Sequence, residues 1–168
     1  DQMGRYAYGN QPGIAQWNLA RLAECLLPLI DEDQDKALAL AQEALAGFAP
    51  RFGAAWREGL LRKIGLSGDD EGDEALVQDL LALMAEAQVD FTLTFRRLCD
   101  AAEGEDAALR ALFADPAVLH PWLARWRARL GREGAGRAAA MRAVNPAYIP
   151  RNHLIEEAIA AAVQRDDL

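Results

Sequence analysis

Apolar residues recur along this chain at three- and four-residue steps, the period of an α-helix with one buried face. Ile14, Trp17, Leu22, Leu26, Leu29 and Ile30 make the first such stripe. Pro12 suits its start, and Pro28 is expected to end or kink it. Asp31, Asp33 and Asp35 supply candidate caps and first-turn acids for a second helix through Leu38, Leu40 and Leu45, which Pro50 is expected to interrupt. A continuation carries Phe52, Trp56, Leu60, Leu61 and Ile64 up to Gly65.

Beyond an acidic stretch at 67–73, Leu76, Val77, Leu80, Leu81 and Met84 define another face. Asp90 is a plausible N-cap for a helix bearing Phe91, Phe95 and Leu98, and a short helix from Glu105 to Phe113 is stopped by Asp115-Pro116. Leu119, Trp122, Leu123, Trp126 and Leu130 form the next stripe, punctuated by Gly131, Gly134 and Gly136. A helix through Met141, a proline-rich loop at 145–150 and a last helix from about Asn152, with Glu156 and Glu157 in its first turn, complete the pattern. No period-2 alternation and no fixed repeat is present, so the expected fold is all-α, with roughly seven to nine helices.

Composition agrees with a folded chain. Of 168 residues, 52% are apolar and 26% charged, and 18 Lys+Arg against 26 Asp+Glu give a net charge of −8. This balance excludes disorder and argues against nucleic acid as a partner. The apolar runs are too short to cross a bilayer, and the chain opens without a signal sequence. Cys25 and Cys99 both fall on apolar faces, so two reduced, buried thiols in a cytoplasmic protein are expected.

Several groups of residues suggest chemistry. The acidic loop starting at Ser67 places Asp69, Glu71 and Gly72 in a calcium-loop register, but Gln78 stands where a bidentate Glu is required, so the loop reads as solvated. The three glycines have neither a preceding strand nor a Gly-Lys-Ser/Thr ending, and read as a helix stop and turn. Arginines 125, 127, 129, 132, 137 and 142 lie opposite the tryptophan stripe and read as a solvated or ion-paired face. His120 and His153 have no partner at ligand spacing and fit capping or packing roles. Two segments lack helical period: 1–12, with Arg5, Tyr6, Tyr8, Asn10 and Gln11, and 145–153, with two prolines, Tyr148, Arg151 and His153. The residues alone leave both a structural corner and a functional loop open.

Those two segments carry a resemblance. Gly4-Arg5-Tyr6-Ala7-Tyr8-Gly9-Asn10-Gln11-Pro12 running into Trp17-Asn18-Leu19 and Arg21-Leu22-Ala23-Glu24, with Asn145-Pro146 and Tyr148-Ile149-Pro150-Arg151-Asn152-His153 downstream, resembles the C-terminal part of the selenoprotein O family, the kinase-fold protein adenylyltransferases. The resemblance implies the multi-helix C-terminal lobe and extension of a protein-kinase-like fold. Residues 1–12 would end the activation-segment region, and 13–168 would form the helical lobe with its family-specific extension. Members bind ATP with Mg or Mn and transfer AMP to Ser, Thr or Tyr hydroxyls of proteins. The family's phosphate-binding, metal-binding and catalytic residues precede this segment, so the chain is expected to hold no catalytic, cofactor or metal residue and to be inactive alone. Arg5, Tyr6, Asn10 and Gln11 would shape the active-site side as positioning groups, and the 145–153 loop would pack between helices. Members often carry a cysteine or selenocysteine near their end; neither Cys25 nor Cys99 stands in that place. The implied partners are protein substrates and the missing N-terminal lobe. Faces meeting that lobe would be open to self-association of the fragment. A stand-alone acidic helical interaction module is the competing reading; it leaves both loop motifs unexplained.

Overall fold

The computed structural model describes residues 4, 5, 7–68 and 70–165. Among these there are nine α-helices, two short 3₁₀ helices and no strand, as the periodicity requires. The chain divides into two compact units, Asp1–Arg57 and Glu58–Leu168.

In the first unit, a 3₁₀ turn at Tyr8–Asn10 leads into α1 (Gln11–Ile30). Pro28 lies inside α1, which ends two residues later at Ile30. So close to the terminus the missing N–H forfeits only one last-turn bond, and Asp31 then adopts extended backbone. Asp33 caps α2 (Gln34–Ala46), its carboxylate accepting from the N–H groups of Asp35 and Lys36, while Asp31 pairs with Lys36. The break between α2 and α3 (Phe48–Lys63) falls at Gly47, not at Pro50. Pro50 occupies the first turn of α3, where its N–H would have no helical partner.

The apolar core belongs to the second unit. Leu60 and Leu61 of α3, with Ile64 just beyond its end, meet Leu76, Val77, Leu80 and Met84 of α4 (Asp73–Glu86), and Phe95 and Leu98 of α5 (Phe91–Ala101). Asp90 caps α5, accepting from the Leu93 N–H at 2.8 Å. The next helix, α6, is confined to Ala107–Arg110, shorter than expected. Beyond it the backbone tightens into three-residue steps, Leu112 N–H to Leu109 and Phe113 N–H to Arg110. After a 3₁₀ turn at Pro116–Leu119 comes α7 (His120–Leu130), whose Trp122 and Trp126 rings stack with centroids 5.5 Å apart. Both are buried, and their indole N–H groups donate to the Leu76 and Ile64 carbonyls at 2.8 Å. Met141 of α8 (Arg137–Val144) completes the core against Gly65. The last helix, α9 (Asn152–Arg165), begins where expected, although Glu156 and Glu157 lie beyond its first turn.

Candidate functional site

Three polar assemblies stand out, one local to the N-terminal segment and two that gather residues distant in sequence.

The N-terminal segment folds back on itself. The Gly4 carbonyl accepts from the Ala7 N–H at 2.9 Å and from Asn10 Nδ2 at 2.8 Å, and Gly4 takes a left-handed φ of +63° that suits glycine. The Arg5 and Arg21 guanidinium carbons lie 5.4 and 5.6 Å from the Trp17 ring centroid, a cation–π arrangement on an exposed indole. Arg5, Asn10 and Gln11 are therefore brought to the start of α1, while Tyr6 lies outside the described residues. The Tyr8 ring is exposed.

At the other end, Asn145 is fully buried. Its Nδ2 donates to the Lys63 carbonyl at 2.8 Å and toward Cys99 Sγ at 3.6 Å; Lys63 Nζ donates to Asn145 Oδ1 at 3.2 Å. Arg96 donates to the Asn145 carbonyl at 3.0 Å. Burial lowers the Lys63 pKa and raises that of the Cys99 thiol. Downstream, Arg151 pairs with Asp90 at 2.6 Å, and that bond, reinforced by the Leu93 N–H, lowers the Asp90 pKa. The loop thus joins α3, α5 and α8, the packing role expected of it, with Tyr148 left exposed.

The third assembly is ionic and buried. Arg129 Nε and Nη2 donate to Asp73 Oδ1 and Oδ2 at 2.6 and 2.9 Å, and Nη2 also reaches Glu133 at 2.7 Å. Glu133 further accepts from the Ser67 N–H and hydroxyl and pairs with Arg137. Burial works against its charge, but the Ser67 and Arg129 donors outweigh that effect and keep its pKa low.

All six arginines of the 125–142 set are paired: Arg125 with Asp79, Arg127 with Asp106, Arg129 with Asp73 and Glu133, Arg132 with Asp70, Arg137 with Glu133, and Arg142 with Asp100 and Glu103. The ion-paired reading holds, with one correction: Arg129 is buried, because its fork finds two carboxylates inside the core. The acidic loop needs the matching correction. Asp73, at its end, is 0% exposed and structural; Asp69 is outside the described residues. Sequence reading missed Asp73, Glu133 and Lys63, although an acid at the first turn of an apolar-striped helix was a usable signal for Asp73.

Two further expectations are corrected. Cys25 is exposed, because α2 packs along another part of α1, whereas Cys99 is buried as expected. His120 and His153 stand at helix starts as expected, in the first turns of α7 and α9, but both are exposed, so the packing alternative does not hold. Among the described residues no three His, Cys, Asp or Glu side chains converge as a metal-ligand set. None of the described helices is long and apolar enough to cross a membrane.

Comparison with known proteins places these features in a family of nucleotide-transferring proteins. The family model described as protein adenylyltransferase SelO matches residues 1–168, and the chain belongs to that family. Relatives named protein nucleotidyltransferase YdiU are 58% identical in Rhodopseudomonas palustris (strain BisB5), 59% in Bradyrhizobium sp. (strain BTAi1) and 55% in Agrobacterium fabrum, each over 99% of this chain. The chain spans only 35% of the length of each of these relatives.

Proposed function

We propose that this chain is the helical C-terminal part of a bacterial, cytoplasmic protein adenylyltransferase and supplies framework and positioning, not reacting groups. The observation that carries this reading is the family match over the whole chain combined with its 35% share of the relatives' length. In the transfer, a protein Ser, Thr or Tyr hydroxyl oxygen attacks the α-phosphorus of ATP, the bond to pyrophosphate breaks, and the hydroxyl proton passes to a base. Such chemistry needs a cationic phosphate cradle and carboxylates that hold Mg or Mn. This reading is supported by the 125–142 arginine set, each member of which already meets a carboxylate and is engaged in holding the helices together. On this reading ATP and metal belong to the rest of the polypeptide, and no step is routed through this segment.

Arg5, Tyr6, Asn10 and Gln11 keep their proposed role as positioning groups on the active-site side, which the Gly4–Asn10 staple supports by giving their segment a defined turn. Mass spectrometry of candidate proteins after incubation with Mg-ATP tests the reading. AMP adducts are expected with the full-length protein and not with the 168-residue segment; adducts formed by the segment alone overturn it.

A further inference from the structure

A helix that is apolar around most of its circumference belongs inside a core. In α1 the only charged residues are Arg21 and Glu24, which pair with each other, yet none of its residues is buried. Packing against α2 engages one side only and leaves an apolar groove of about 420 Å³ lined by Leu19, Leu22, Leu26, Ile30, Leu40 and Phe48, among others. At the rim of that groove runs a strip with i, i+3, i+4, i+7 spacing: Leu22, Cys25, Leu26 and Leu29. Leu22 is 53% exposed, Leu29 81%, and Cys25 is exposed.

The same deficit marks the whole first unit. Of its described residues only Ala37 and Ala41 are buried. A unit of that size without a single large buried side chain lacks the burial that offsets chain entropy. Gly53, in the interior of α3, points the same way. Helix-interior glycine costs about 1 kcal/mol relative to alanine, and a Cβ built on Gly53 meets nothing within 4 Å, so no neighbour in the structure requires it.

We propose that the strip Leu22–Cys25–Leu26–Leu29 and the groove beside it are the seat of the remaining polypeptide of the full-length protein, making α1 an internal helix there. The occupant is fixed by length: the relatives carry about two-thirds of their chain outside the part matched here, since the match covers 35%. An apolar face of that polypeptide fits, because the groove offers no charge to pair. The proposal rests on the reading of this chain as part of a longer family member and not on the transfer chemistry.

The test uses the full-length protein without nucleotide. Alkylation at Cys25, followed by mass spectrometry of its peptide, is expected to be at least roughly 100-fold slower in the native protein than in urea, at a rate independent of protein concentration. A photo-crosslinker installed at Leu29 is expected to capture peptides outside the 168 residues. Cys25 reacting as a free exposed thiol, crosslinks confined to this segment, or protection that fades on dilution and so marks a second copy would each overturn it. Failure to transfer AMP changes none of these readouts, so the two proposals stand or fall separately.

Discussion

Arg129 holds Asp73 by two parallel hydrogen bonds, at 2.6 and 2.9 Å, across 56 residues of sequence, and both residues are buried. The pair ties the first turn of α4 to the last turn of α7. Removing one member strands the other charge, so Arg129→Ala is expected to destabilise by about 3–5 kcal/mol. Replacing both by apolar residues of similar volume is expected to recover part of that loss, Glu133 keeping its Ser67 and Arg137 partners but losing Arg129. Urea titration of the single and double variants checks both statements.

Asn145 satisfies the Lys63 carbonyl and accepts from the Lys63 ammonium, both at the junction of α3 with the 145–151 loop. Asn145→Ala leaves those groups without their partner and is expected to cost about 1–3 kcal/mol. Hydrogen exchange should rise at residues 144–151 before it rises elsewhere; uniform exchange across the second unit contradicts the anchoring role.

Gly65 has a φ of +79°, and a Cβ there would lie 2.8 Å from Met141 Sδ. Gly65→Ala therefore meets backbone strain and overpacking together, and about 1–3 kcal/mol of destabilisation is expected by thermal melting. Combined with Met141→Ala, which by itself opens a cavity in the core, the loss should be smaller than the sum of the two single losses, because that truncation removes the clash while the strain stays.

Acid sensitivity has a specific source in Asp106, which accepts from Arg110 and Arg127 and whose pKa is lowered from 3.8 to about 2. A lowered folded pKa means the unfolded chain binds the proton more readily. This contribution is whole above the unfolded value near 4 and is lost as pH falls through 2. Asp106→Asn is expected to flatten the acid limb of a stability–pH curve between pH 4 and 2; an unchanged slope contradicts the assignment.

Local signals were the legible ones. The Leu119–Trp122–Leu123–Trp126 stripe told its own burial through the 3.6-residue period, and Asp33 and Asp90 declared their caps by preceding apolar runs. The Asp73–Arg129 pair was hidden because it joins residues 56 apart, and composition cannot separate a buried acid from its solvated neighbours. Pro50 misled because a proline marks the start of a helix as readily as the end of one. Period also failed for Cys25 and Trp17. It finds an apolar face, but only the surrounding chain decides whether that face is covered. Of the four positioning residues inferred for the N-terminal segment, the fold brings Arg5, Asn10 and Gln11 to one helix start, and Tyr6 lies outside the described residues.

The central claim, that this segment provides framework to an adenylyltransferase whose nucleotide chemistry lies elsewhere in the polypeptide, is tested most directly by isothermal calorimetry with Mg-ATP. Binding to the full-length protein and no measurable heat with the 168-residue chain is the expected result. Micromolar binding of Mg-ATP to these residues alone would contradict it.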